Sequence, residues 1–294
     1  MQEWWISMKL AYADDVHGTT EIYEGIIEAA AANEADVLVF GGDMLLHTRR
    51  RSSISENAEM QKRNLDDIIA LFSEANSAYG METIFIFGNG DMRINEGYAH
   101  AAAARAKGVH YLKNNYLVMK DIAFAGYPYV KSILYSVRDW EKTDTPDSPS
   151  PEPKDEFMAG WYSVKPEEGT IYDDVTSLLS RAPPNKKLVL IAHSPPYGTN
   201  LDLSKIDDGE APLHIGSKGV RMAIEEYHPF AAFHGHIHES NQLSGSYFDL
   251  IGSTIAFNPG WASPHRVNLI FFDTEKGMHS LFGCIDEYGV THST

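Results

Sequence analysis

Short apolar runs alternate along the chain with longer stretches whose apolar positions recur at helical spacing, and nearly every run stops at a polar turn. The first, Met8-Lys9-Leu10-Ala11-Tyr12-Ala13, ends in Asp14-Asp15-Val16-His17-Gly18. Thr20–Asn33 then carries Ile22, Ile26, Ile27 and a run of alanines at the spacing of a helix. Asp36–Phe40 reads as a strand covered on both faces and closes on Gly41-Gly42-Asp43. From Glu56 to Tyr79 a helix is predicted, with Leu65, Ile68, Ile69 and Phe72 on one stripe and Gly80 as its stop. Thr83–Phe87 is the third strand, running into Gly88-Asn89-Gly90-Asp91.

An Ala-rich helix around Gly97–Ala106 leads to shorter strands near Tyr111, at Tyr116–Met119 and at Ile122–Tyr127. The alternation breaks between Lys131 and Gly169, where Pro146, Pro149, Pro151 and Pro153 stand among Asp, Thr and Ser. Such a segment forms neither a helix nor a central strand. Flanked by Trp140, Trp161 and Tyr162, it reads as an insertion, at about residues 131–169, partly packed near a cleft in a single domain spanning 1–294, the alternative being a plain disordered surface loop. A helix at Tyr172–Arg181, a strand at Lys187–Ala192, a helix at Ser217–Glu226 and a strand at Phe230–His234 follow. Tyr247–Ile251, Thr254–Phe257 and Val267–Asp273 then look antiparallel, so the C-terminal section is expected to form a second sheet packed on the first.

Composition narrows the class. With 43% hydrophobic and 22% charged residues the chain resembles an ordinary globular protein. Its net charge of −17, from 41 acidic and 24 basic side chains, argues against tracking extended nucleic acid, which rests on Lys and Arg. Cys284 stands alone, so no intramolecular disulfide forms. The start lacks the pattern of a signal peptide and no apolar run is long enough to span a bilayer, so a cytoplasmic location without a membrane is expected. Nothing in the sequence speaks to the oligomeric state.

The polar turns are where chemistry collects. Phe233-His234-Gly235-His236-Ile237-His238-Glu239 offers two imidazoles one residue apart, and neutral imidazole is a common transition-metal ligand. Alone the pair means little. Asp15, His17, Asp43, Asn89 and His193, each just past an apolar strand, bring the set to seven oxygen or nitrogen donors. That is enough for two adjacent ions sharing one carboxylate, a centre that activates a bridging hydroxide and clamps phosphoryl oxygens. Mixed His and carboxylate donors favour Mn, Fe, Zn, Ni or Co over Ca or Mg.

Asp15-x-His17, Gly42-Asp43, Gly88-Asn89-x-Asp91, His193 and Gly235-His236-x-His238 resemble, in order, the five blocks of the calcineurin-like metallophosphoesterase superfamily. The segments His193–Thr199, Ile215–Lys218 and Asn258-Pro259-Gly260 are similar to a subgroup of prokaryotic phosphoesterases. The resemblance implies a four-layer α/β/β/α sandwich of two mixed sheets. It also implies that Asp15, His17 and His238 hold one ion, that Asn89, His193 and His236 hold the other, and that Asp43 bridges. Asn89 would in addition touch a phosphate oxygen.

One departure stands out. Where the family's third block carries a His that protonates the departing oxygen, this chain has Gly90, and the Asp that would orient it is Leu46. Some phosphodiesterase relatives lack this His, as does a retromer subunit regarded as a scaffold. His47 is the candidate replacement acid, and Arg93 and Tyr197 are candidates to bind substrate, Arg93 through its planar fork. His100, His110, His228 and His292 have no motif around them. The reading is a dinuclear-metal phosphoesterase, with a phosphodiester or nucleotide-like small molecule as substrate. The alternative is a metal-binding scaffold of the same fold.

Overall fold

In the computed structural model the described residues are 8–49, 52–132, 137–149, 160–205, 211–263, 266–286 and 291–292. The N-terminal part runs β1 (Lys9–Ala13), α1 (Thr20–Ala32), β2 (Val37–Phe40), α2 (Ile54–Tyr79) and β3 (Glu82–Phe85). A 3-10 turn at Arg93–Asn95 leads into α3 (Glu96–Arg105), β4 (Val109–Tyr111), β5 (Asn115–Met119) and β6 (Ile122–Tyr127). Two short strands follow, β7 (Val130–Lys131) and β8 (Glu141–Lys142). Then come α4 (Ile171–Ser180), β9 (Lys187–Ala192), β10 (Leu203–Ser204), β11 (Leu213–His214), α5 (Lys218–Tyr227) and β12 (Ala231–Phe233). The chain closes with α6 (Ser240–Ser244), β13 (Phe248–Ile251), β14 (Thr254–Phe257), β15 (Trp261–Ser263), β16 (Arg266–Asp273), β17 (His279–Asp286) and β18 (Thr291–His292).

Two mixed sheets stack face to face. One has the order β18-β17-β16-β1-β2-β3-β4, with β15 on β16, and the other runs β13-β14-β12-β9-β6-β5. Between them lies an apolar layer in which Leu10, Tyr12, Val37, Val39 and Ile84 meet Ile122, Phe124, Val189, Ile191 and Phe233. The alternate residues of the same strands point outward. Ala11, Leu38 and Phe40 pack under Ile22, Ile26, Leu65 and Phe72 of α1 and α2, while Ala125, Leu190 and Ala232 pack under Leu178 of α4 and Val220 and Ile224 of α5. The period of two along a strand thus makes the α/β/β/α layering.

The C-terminal expectation needs correction. Its strands do not form a sheet of their own. β14 extends the second sheet parallel to β12, whereas β16 crosses back and pairs antiparallel with β1, Lys9 opposite Asp273. The free edge of β1 offered unpaired peptide groups that a late strand could satisfy. Helix α2 begins two residues before the expected Glu56, because Ser53 caps it: its hydroxyl accepts from Glu56 N while the Glu56 carboxylate accepts from Ser53 N. No helix among the described residues is long and apolar enough to cross a membrane.

Candidate metal centre

All the parallel ladders of both sheets deliver their C-terminal ends to one place. Asp15 and His17 follow β1, Asp43 follows β2, Asn89 follows β3, His193 follows β9, and His236 and His238 follow β12. The turns that present them are strained. Asp15, His17, Asp43 and His236 have φ of 53°, 50°, 45° and 66°, in a left-handed region that side chains rarely enter. Cross-turn hydrogen bonds hold them there: His17 N donates to Asp43 O (2.9 Å) and His236 N to Asp15 Oδ2 (2.8 Å). Room is made by glycine. A Cβ on Gly42 would sit 2.5 Å from His193 Nδ1, and one on Gly88 would sit 2.4 Å from Asp43 Oδ1.

Asp43 lies at the centre. Its Oδ2 faces His17 Nε2 at 3.9 Å and its Oδ1 faces His193 Nε2 at 3.5 Å. On the first side His238 Nε2 approaches Asp15 Oδ1 at 3.1 Å, and donor atoms of Asp15, His17 and His238 all lie within 4.8 Å of one another. On the second side Asn89 Oδ1 stands 3.2 Å from His193 Nε2, with the His236 ring 5.2 Å from that of His193. The cavity above has a volume of about 180 Å³ and is lined by His17, Asp43, Asn89, His236 and His238 together with His47 and Val137.

Burial and charge set the protonation. Desolvation pushes the His17 and His236 imidazoles well below their ordinary value, into the neutral form that binds metal. Burial also opposes a charged His193, but the carboxylates of Asp43 and Asp14 outweigh it and lift the ring to about 10. Burial raises Asp43, and burial reinforced by the Asp15 charge lifts Asp14 to about 7. So much negative charge around imidazoles, with no lysine or arginine among the described lining residues, fits divalent cations of the transition series.

The substrate expectations fare differently. His47 is exposed and lines the cavity, its ring stacked on that of His17 with centroids 3.8 Å apart. Arg93 does not turn toward the cavity. Its guanidinium is buried against Glu167 Oε1 (2.8 Å) and Tyr129 Oη (3.2 Å), so its fork is already occupied. Tyr197 also lies outside the cavity lining, its ring edge-on to His214 at 5.9 Å. Of the insertion, Val137 reaches the cavity; residues 133–136 and 150–159, which include Pro151 and Pro153, lie outside those described.

Of three buried polar side chains around the site, Asp91 stood in the third block without an assigned role, and Asp14 and Gln61 carried no sequence signal strong enough to single them out. Asp14 accepts from Tyr12 Oη (2.5 Å) and Asp15 N (2.7 Å), and sits 3.4 Å from His193 Nδ1. Asp91 accepts from Met44 N, Leu45 N and Gly88 N, tying the turn after β2 to the turn after β3. Gln61 of α2 donates to Leu46 O and Gly90 O and accepts from Met92 N. It therefore pins the backbone of the two positions where the family's acid pair would stand. Asp14 adjoins the motif residue Asp15, which was the available hint.

The calcineurin-like phosphoesterase family matches residues 8–240. Uncharacterized protein MJ1162 of Methanocaldococcus jannaschii is 35% identical over 113 residues, which cover 38% of this chain and 44% of that protein. The match thus spans less than half of the relative's length. One crystal structure superposes with a TM-score of 0.63 at 17% identity, over 94% of this chain and 98% of its own. TT1561 of Thermus thermophilus gives 0.61 at 13% identity, with the same coverage. At such identities the two structures speak to the fold alone.

Proposed function

The chain belongs to the calcineurin-like phosphoesterase family, and from that membership we propose that it hydrolyses phosphodiesters with two divalent transition-metal ions, Mn, Fe, Zn, Ni or Co. Asp15, His17 and His238 would hold one ion and Asn89, His193 and His236 the other, with Asp43 shared. The observation that carries this reading is the placement of Asp43, whose two oxygens face two different imidazoles, His17 and His193. Two such ions, when bound, acidify water and neutralise charge on a phosphoryl group.

The chain's own part is positioning. Strained turns fix the donor atoms, the tie from Gly90 N to Asp43 Oδ1 (2.6 Å) orients the shared carboxylate, and Asn89 Nδ2 is free to meet a phosphate oxygen while its Oδ1 faces His193. The hydrogen bond that Gln61 donates to Gly90 O, and the one that Asp91 accepts from Gly88 N, keep the turns from relaxing. His47 is the lining imidazole outside the proposed ligand set, and so the first side chain to test as a proton donor. The substrate we propose is a small or nucleotide-like phosphodiester, handled in the cytoplasm.

The test pairs metal analysis with hydrolysis. Protein reconstituted with Mn²⁺ is expected to hold close to two ions per chain and to cleave bis(p-nitrophenyl) phosphate faster than p-nitrophenyl phosphate. Asp43→Ala should lower the stoichiometry and abolish cleavage. Full activity in Asp43→Ala, or no bound metal after reconstitution, would overturn the proposal. Two bound ions without turnover of either ester would instead support a scaffold.

A further inference from the structure

Beside the metal cavity lies a second one, of about 250 Å³, and the two share His17 and His47 as a common wall. The second is lined by Val16, Ile22, Leu46, Met60 and Val267, with Asp15, Thr19 and Arg49 completing it. Val16, Ile22 and Val267 are buried, whereas Leu46 and Met60 are half-exposed. A cavity open on apolar side chains of this size is large enough for an aromatic ring, since an apolar void of about 150 Å³ accepts benzene. Leu46 matters here. It stands where the family's orienting Asp would be, so this departure both removes one member of the acid pair and makes this wall apolar.

The two consequences point to the same substrate chemistry. Without a positioned acid at position 90, the oxygen leaves phosphorus as an unprotonated anion, which favours the anions of acidic alcohols such as phenols. Phenolic groups are also what an apolar cavity beside the phosphoryl site retains best. His47 is exposed and stacks on His17, so the two cavities are separated by these rings alone among the lining they share, one of them at the surface.

We propose that the cavity formed by Val16, Ile22, Leu46, Met60 and Val267 is a subsite for an aromatic substituent of the phosphoester. This selects aryl over alkyl phosphoesters. The inference rests on the phosphodiesterase reading for the position of the phosphoryl group, and its test does not require turnover.

The experiment is calorimetric binding of phenylphosphonate and methylphosphonate to the Mn²⁺-reconstituted full chain. Both carry the same anionic head, and neither is a substrate. Phenylphosphonate is expected to bind about tenfold or more tightly, as apolar pockets discriminate. Met60→Gln and Ile22→Asn should each reduce the preference severalfold, with the methylphosphonate affinity serving as the internal reference. Met60 is half-exposed, so Met60→Gln keeps the test open if Ile22→Asn fails to fold. Equal affinity for the two phosphonates, no binding of either, or an unchanged preference in a folded Met60→Gln protein overturns the subsite. A clear phenyl preference with no hydrolysis of any ester would sink the enzymatic reading instead and leave the subsite standing. Hydrolysis without a phenyl preference does the reverse.

Discussion

At the scale of the residue, the site's chemistry is a contest between protons and cations for the same nitrogen atoms. His193 is lifted to about 10 against the penalty of burial because Asp43 and Asp14 surround it, so at neutral pH its ring is charged. Its Nδ1 lies 3.0 Å from Gly41 O, which leaves Nε2, facing Asn89 and Asp43, as the atom that must shed a proton to become a ligand. Reconstitution at pH 7 should therefore release about one proton from His193. Calorimetry in buffers of different ionisation enthalpy reads this directly, and metal affinity should rise with pH below about 10; an enthalpy that does not depend on buffer would contradict the charged His193. The missing acid makes a second prediction. General acids contribute about 10²–10⁴-fold, so rates across esters of graded leaving-group acidity should fall steeply toward alkyl esters. A Cβ at position 90 would stand 3.3 Å from the Asp43 carboxylate, and Gly90 is not held in a left-handed conformation, so a side chain fits there after small adjustment. Gly90→His alone should do little, having nothing to orient its ring. Gly90→His with Leu46→Asp should flatten the slope. A natural slope already flat, with chemistry shown to be rate-limiting, would point to a substitute acid, and His47→Asn would identify it.

At the scale of the element, α2 does two jobs from two faces. Leu65, Ile68 and Phe72 pack on the first sheet, while Asn57, Gln61 and Asn64, at helical spacing, reach into the loops beside the site. Gln61→Leu keeps the shape but leaves Leu46 O, Gly90 O and Met92 N without this partner. A cost of about 2–4 kcal/mol is expected in urea unfolding, together with weaker metal binding, because the Gly90 turn orients Asp43. Metal affinity equal to that of the natural protein would show that the turn holds itself. This polar stripe also marks where sequence legibility ended. The apolar periodicity of α2 and the short patterns Asp15-x-His17 and His236-x-His238 are local, so strands, helices and the convergence of their turns could be read directly. Whether a Gln is solvated or buried depends on loops far away in sequence, and nothing local announces it. The setting of Arg93 escaped the sequence for the same reason: its partner Glu167 lies far along the chain. So did the C-terminal sheet, because the choice of β1 as partner for β16 is a long-range one.

At the scale of the whole molecule, the described part of the insertion is bolted to both halves of the sandwich. Trp140 is fully buried, edge-on to Phe87 and Tyr129, and its indole donates to Asp91 O beside the turn after β3. On the other side Asp144 accepts from Lys218 N (2.8 Å) and Gly219 N (3.1 Å) at the start of α5, where the helix dipole favours a carboxylate. Two functions of the segment can therefore be separated by residue. Asp144→Ala should lower stability by about 1–3 kcal/mol through the lost cap, with the ranking of substrates kept. Val137, from the same segment, instead lines the metal cavity, and a larger side chain there takes space from about 180 Å³. Val137→Trp should cut kcat/KM for bis(p-nitrophenyl) phosphate about tenfold more than for p-nitrophenyl phosphate, because the diester must place a second substituent beside the phosphoryl group. Metal content should stay the same, since Val137 supplies no donor atom. Equal losses on both esters would mean that the insertion stabilises the sandwich without selecting what enters it.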